Sequence, residues 1–304
     1  MASRLELLSE FVDGVIAENP VHRNFLHASR SSMSEDATNE LIDYLEYCLG
    51  IGLTMSYIIE CYNTIVIDTH IEQLYFREHK KYRCSTFKEV ADRVYFDAAY
   101  MQKYMYGLAL TSFLWPNHAA MHEFFVRTFP VGARGNYLEI GPGHGYYFRR
   151  AGMLGNFDRM IGIDISAASV ALTRDIVRTL GIKTQAEVDI IEGDFLTVSG
   201  DDTDYSCIVM GEVLEHVEDP RLFLHKIASL SGPDTHVYIT TCVNAPAVDH
   251  ISLFRTTTEV EDLIRENGLD LVDSLRVPYA GKTLKQCEAQ QLAVNVAYVL
   301  HKQT

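Results

Sequence analysis

The 304-residue chain contains no run near the roughly 18 uninterrupted apolar residues of a membrane-spanning helix, so no membrane association is expected. It has six cysteines, Cys48, Cys61, Cys84, Cys207, Cys242 and Cys287, but no Cys-x-x-Cys pair. Neither a zinc knuckle nor a thioredoxin-like site is written in those spacings, and free thiols in a reducing, cytoplasmic compartment are expected. Basic charge is scarce, with 26 Lys and Arg against 41 Asp and Glu and a formal charge of −15. Such a field repels polyanions, so no nucleic-acid partner is expected. The first ten residues carry Glu6 and Glu10 where a secretory signal needs an apolar core. No internal repeat or low-complexity segment occurs. What is present is the balance of a globular protein, 47% hydrophobic and 22% charged. At about 100–200 residues per domain, it makes one large domain or two ordinary ones.

The pattern changes near Pro130. Before it, helical spacing dominates: Leu41, Tyr44, Leu45 and Cys48 share one stripe of a helix over 34–50. An apolar run over 52–75 is interrupted by the β-branched Thr64 to Ile67, which leaves its break points open. Ser85 to Glu89 reads as a capping box with Ser85 as cap. Helices over 98–114 and 116–129 follow. After Pro130, strands and helices alternate. Strands are predicted over 136–140, 159–163, 187–192, 205–210, 236–242, 269–277 and 292–301. Helices are predicted over 166–180, 220–230 and 257–267. Alternation with short turns implies an α/β fold with a parallel sheet covered on both faces.

The most informative segment is Glu139-Ile-Gly141-Pro-Gly143-His-Gly145, between a predicted strand and a predicted helix. Glycines there permit positive φ and let the backbone approach a ligand closely. Asp164 ends the second strand, where a carboxylate can accept from a ribose diol or cap the next helix, with Ile165 beside it. Asp194 ends the third strand; it can accept from an adenine amine or act as a turn residue, and Phe195 can line the ring face.

Together these residues resemble the class I S-adenosylmethionine-dependent methyltransferases over about 136–299. The stretch Met210-Gly-Glu212-Val-Leu-Glu215-His216-Val-Glu218-Asp219-Pro220 is also similar to that family. The resemblance implies a Rossmann-like seven-stranded mixed sheet, with the last strand inserted antiparallel and helices on both faces. It implies S-adenosyl-L-methionine as cofactor. Glu139, Gly141, Gly143 and Gly145 would then cradle its methionine part, with Asp164 at the ribose and Asp194 at the adenine. A dinucleotide oxidoreductase shares the glycine loop and Asp164. It usually has Gly-x-Gly-x-x-Gly, whereas Tyr146 stands three past Gly143. It also leaves Asp194 and the segment after Met210 unexplained.

Methyl transfer needs alignment and, for a proton-bearing acceptor, a base. Glu212, Glu215 and His216 are the catalytic candidates. Glu212, Glu215, Asn244, His250, Phe254 and Tyr104 are the substrate-side candidates. The acidic run Glu212 to Asp219, with the −15 charge, favours N-methylation of a small cationic amine or guanidine in specialised metabolism. Two alternatives stand beside it. One is O-methylation of a phenol or hydroxyl, and the other is a cofactor-binding interaction module without turnover.

Residues 1–130 form the expected α-helical lid, substrate or dimerisation domain, and 131–304 the cofactor-binding domain. Among the aromatics from Tyr95 to Trp115, Tyr106 is the choice for a cofactor contact. His118 and His122 share a helix face but lack a third ligand; they read as solvated, and no metal site is expected.

Overall fold

The computed structural model describes residues 4–91, 93–197 and 204–303. The chain opens with α1 (Arg4–Glu18), α2 (Arg23–Ser32), α3 (Glu35–Gly50), α4 (Met55–His79), α5 (Phe87–Ala91), α6 (Ala98–Leu114) and α7 (Pro116–Thr128). The sheet region runs β1 (Asn136–Ile140), α8 (Tyr146–Leu154), β2 (Arg159–Asp164), α9 (Ala167–Leu180), β3 (Glu187–Glu192) and β4 (Tyr205–Gly211). It continues with α10 (Pro220–Leu230), β5 (Ser231–Val243), α11 (Thr257–Glu266), β6 (Leu269–Pro278), α12 (Leu284–Gln290) and β7 (Val294–Lys302).

The seven strands lie in the order β3-β2-β1-β4-β5-β7-β6. All neighbours pair in parallel except β7, which is antiparallel to both β5 and β6. The order reverses between β1 and β4, and such a switch point opens a crevice at the carboxyl ends of the strands. The middle of the sheet is largely apolar because both faces are covered. In β4, Cys207, Ile208, Val209 and Met210 are all fully buried. One face packs on Leu224, Ile227, Val260 and Ile264 of α10 and α11. The other packs on Phe124 and Phe125 of α7 and on Phe148 of α8. The Tyr238 hydroxyl of β5 donates to the Met121 carbonyl across 2.7 Å, which pins α7 to the sheet.

A third core joins the helices to the sheet region, since Leu172 and Ile176 of α9 are buried with Leu45, Tyr62 and Leu110. Gly107 explains how closely α6 approaches α4: a Cβ there would stand 2.3 Å from the Cys61 carbonyl oxygen. The β-branched run Thr64 to Ile67 does not interrupt α4, which continues to Lys80 in left-handed conformation (φ 55°). Its propensity cost, under about 0.7 kcal/mol per residue, is offset by burial of Ile58, Tyr62 and Ile65.

Three local expectations need correction. The cap before α5 is Thr86, whose Oγ1 accepts from the Glu89 amide at 3.3 Å; Glu89 reaches back to the amides of Ser85 and Thr86. The fifth strand starts at Ser231, five residues early, because Thr235 Oγ1 donates to the Tyr205 carbonyl and accepts from Gly232 N–H, holding the polar start on the sheet. Helix α12 was not anticipated; a capping box of Thr283 and Gln286 begins it. Among the described residues, no helix is long and apolar enough to cross a membrane. All six cysteines are free and buried.

Candidate active site

A cavity of about 1130 Å³ opens at the switch point, between the carboxyl ends of the strands and the helices α2, α4, α6 and α7. It is one continuous cavity, slightly larger than the roughly 300–1,000 Å³ of a single ligand pocket; its end at the glycine loop and the acids after β2 and β3 is the first chamber, and its end against α7 the second.

The rim over β1, β2 and β3 is built from the glycine loop and its acids. Gly141, Gly143 and Gly145 have φ of 65°, 55° and 75°. A Cβ on Gly141 would meet Val213 Cγ2 at 2.7 Å, so bare backbone is required there. Asp164 is 8% exposed and lines the cavity. Its Oδ2 accepts from Gly143 N–H at 3.1 Å and its Oδ1 from Ser166 N–H at 2.9 Å. Burial pushes its carboxyl up to about 6, against the pull of those two amides. Glu139 lines the floor, accepts from the Tyr137 hydroxyl and is pushed up to about 8 by burial. Ile165, Asp194 and Phe195 line the same end, with Leu222 and Phe223 opposite. Gly145 faces away and packs on Thr173 of α9.

Helix α6 closes the top. Met101, Tyr104, Met105, Leu108 and Ser112 face the cavity. Tyr106 does not; it is buried on the other side of the helix near Cys48 and Tyr47. Because α6 is apolar around its circumference, its sequence does not say which tyrosine faces in.

The second chamber carries residues that the sequence does not mark as a site, since His118 and His122 read there as a solvated helix face. His118 and His122 of α7 line the cavity with His144 of the glycine loop, Trp115, Tyr147 and Asn295. They are not a solvated face, because α7 lies against the sheet. Burial holds His118 and His144 down to about 4, and His122 well below the usual imidazole range. His122 stacks on Tyr146 with centroids 3.8 Å apart, and its buried Nδ1 has no hydrogen-bond partner.

The segment after β4 divides in role. Glu212 lines the cavity in left-handed conformation (φ 52°), with Oε1 buried and unpartnered. Glu215 lies outside the lining, fully buried; Thr241 Oγ1 donates to its Oε2 at 2.7 Å. Burial raises both carboxyls, so this close pair does not present two negative charges. Glu218 accepts from the Phe87 amide, and Asp219 caps α10 and pairs with Arg221. Three acids of the run, Glu215, Glu218 and Asp219, are thus engaged within the protein, whereas Glu212 keeps an unpartnered oxygen.

His216 lines the cavity, with Nδ1 3.3 Å from Asp249 Oδ2 and 3.2 Å from the Tyr95 hydroxyl. Tyr95 and Tyr104 both donate to the Asp249 carboxylate at 3.3 Å. His250 also lines the cavity. Asn244 and Phe254 do not: Asn244 Nδ2 donates to the Arg255 carbonyl at 2.9 Å, and Phe254 is core.

Residues 116–286 match a family described as a methyltransferase domain. The chain belongs to the class I S-adenosylmethionine-dependent methyltransferases. No curated protein matches it. Among solved structures, it resembles the mitomycin 7-O-methyltransferase MmcR at 12% identity, over 82% of this chain and 70% of that one, with a TM-score of 0.54. It also resembles phosphoethanolamine N-methyltransferase 2 of Haemonchus contortus, solved with S-adenosyl-L-methionine. That likeness is 13% identical over 73% of this chain and 61% of the other, with a TM-score of 0.53. At these identities the likeness is one of fold.

The methyltransferase's cofactor, S-adenosyl-L-methionine, fits the first chamber. Each Asp164 oxygen takes one backbone amide and keeps a lone pair for a ribose hydroxyl. The bare turn at Gly141 would admit the amino-acid end, and Phe195 with Phe223 would offer an apolar slot for the base.

Proposed function

We propose that this methyltransferase transfers a methyl group to a hydroxyl of a neutral, aromatic small molecule held in the second chamber. The observation that carries this reading is the chamber's lining: three histidines kept neutral by burial, among Trp115, Tyr147, Met121 and Asn295. Neutral imidazoles offer a donor and an acceptor each and suit an uncharged polar ligand. The cationic amine favoured from the acidic run has less support, because Glu215, Glu218 and Asp219 are engaged with Thr241, Phe87 and Arg221, which leaves Glu212, its carboxyl raised by burial, as the acid of the run with a buried, unpartnered oxygen at the cavity.

When bound, the cofactor supplies an electrophilic methyl on sulfur. Helix α6 covers part of the cavity, with Met101, Tyr104, Met105, Leu108 and Ser112 facing it, and limits access of water there. Asp249, held by Tyr95 and Tyr104, orients His216 through Nδ1 and leaves Nε2 as the ring's acceptor for the hydroxyl proton. Glu139, Gly141, Gly143, Asp164, Asp194 and Phe195 hold the cofactor. The match to MmcR spans more of this chain than the sheet region alone, so it includes part of the helical segment that roofs the second chamber.

The test is a panel of phenols, aliphatic alcohols, amines and guanidines offered with isotopically labelled S-adenosylmethionine, the products located by NMR. Labelled methyl ethers from the phenols are expected. Methylated amines with the phenols untouched would restore the cationic reading.

A further inference from the structure

Beyond the cofactor and acceptor chambers, the cavity wall holds a cluster that the methyl-transfer reading does not use. Glu215, Cys242 and His250 converge where β5 leaves the sheet, and their donor atoms all lie within 4.8 Å of one another. Cys242 Sγ is 3.7 Å from Glu215 Oε1 and 3.7 Å from His250 Nδ1. The three residues are at most 9% exposed, and Cys242 and His250 line the cavity.

We propose that Glu215, Cys242 and His250 form a binding site for a divalent transition-metal ion of the zinc class. The spacing agrees with the chemistry. Zinc bonds of roughly 2.0–2.3 Å at tetrahedral angles set sulfur and nitrogen ligands about 3.6 Å apart. A thiolate with an imidazole and a carboxylate selects zinc, cobalt or iron over magnesium or calcium, which prefer all-oxygen sites. Three protein ligands leave a fourth position for water or an acceptor oxygen, as at catalytic zinc centres. The Thr241 hydroxyl, donating to the other Glu215 oxygen, fixes that carboxylate from behind.

Two further observations point to a missing partner. The Tyr82 hydroxyl is buried against this cluster, its ring 5.6 Å from that of His250, and it makes no hydrogen bond. Glu212 Oε1 is buried without a partner as well. Buried polar networks are normally satisfied, and unpaired atoms in them call for an ion or water. His250 Nδ1 now lies 2.6 Å from the Ala245 carbonyl oxygen. Metal binding exchanges that hydrogen bond for a coordinate bond.

The test uses tag-free full-length protein, stripped with a chelator and dialysed against zinc or cobalt, with metal measured by elemental mass spectrometry. About one ion per chain is expected, and the cobalt form should show a thiolate charge-transfer band. Cys242→Ser should abolish that band, while Cys287→Ser, at a buried thiol outside the cluster, should keep it. Glu215→Gln and His250→Asn should each weaken zinc binding at least about tenfold. Wild-type protein that retains no zinc after dialysis overturns the proposal without any variant. So does a cobalt spectrum unchanged in a Cys242→Ser protein that is folded by circular dichroism. None of these readouts depends on the methyl acceptor.

Discussion

Gly143 donates its amide N–H to Oδ2 of Asp164 across 3.1 Å, joining the turn after β1 to the end of β2. The other Asp164 oxygen accepts from Ser166. Both oxygens therefore face N–H groups, and a carboxamide in place of this carboxylate would turn its NH₂ against one of them. Asp164→Asn should weaken S-adenosylmethionine binding by about 1–3 kcal/mol. Equilibrium titration of the variant checks this; unchanged affinity contradicts it.

The same carboxyl gives a pH dependence. Burial raises Asp164 to about 6, so its carboxyl is ionised at neutral pH and takes up a proton as the pH falls below about 6. Its contribution to stability is complete below the ordinary carboxyl value near 3.8 and is lost as pH rises through about 6. Ribose hydroxyls donate to the ionised form, so a proton competes with the cofactor. Cofactor affinity should fall as pH drops from 7 to 5 (roughly one unit either side of the Asp164 value), and Asp164→Asn should flatten the profile. A flat wild-type profile contradicts the assignment.

Two glycines of the turn should respond differently to alanine. At Gly141 a Cβ meets Val213 Cγ2 at 2.7 Å in a left-handed residue, whereas at Gly143 the nearest atom is 3.8 Å away. Gly143→Ala should cost only the backbone strain, about 1 kcal/mol. Gly141→Ala adds a clash and should cost about 2–3 kcal/mol or displace Val213 into the cavity. Thermal unfolding of both variants ranks them; the reverse order contradicts the geometry.

The neutral histidines of the second chamber predict acid sensitivity. His118 and His144 are held near 4 in the folded chain against 6.5 when exposed. Their contribution to stability is complete above about 6.5 and is lost as pH falls through about 4. His118→Gln, which retains a partner for Thr111, should reduce that loss by about 1–3 kcal/mol over the window. An unaltered pH–stability slope contradicts burial of a neutral ring.

Asp249→Asn tests the proton path. Two tyrosines donate to this carboxylate and His216 leans on it. The variant should lower kcat by about 10²–10⁴ with little change in KM for the cofactor. Equal losses in both parameters would instead mark a structural role.

Much of the cofactor side was legible in the sequence because its chemistry is local. A strand runs straight into bare glycines and an acid ends the next strand, a pattern that periodicity and turn residues mark in sequence, and Gly141, Asp164 and Asp194 all reach the cavity. The acceptor side depends on tertiary packing. Glu215 and His216 are neighbours in sequence, yet one is sealed behind Thr241 and the other faces the cavity. Tyr104 and Tyr106 differ in the same way on α6. His118 and His122 looked solvated on α7 alone; the sheet beneath that helix makes them cavity wall. Cys242 drew no attention as an isolated cysteine, because Glu215 approaches it from the loop after β4 and His250 through the turn after β5.

The most direct test of the two-chamber account is calorimetric titration of S-adenosylhomocysteine into Asp164→Ala and His122→Asn proteins. In the proposed reading Asp164 faces the cofactor and His122 the acceptor. The account predicts that Asp164→Ala loses at least about tenfold in affinity, the worth of a charged hydrogen-bonding partner, while His122→Asn binds as wild type. Equal affinity in the two variants, or a loss only in His122→Asn, would contradict it.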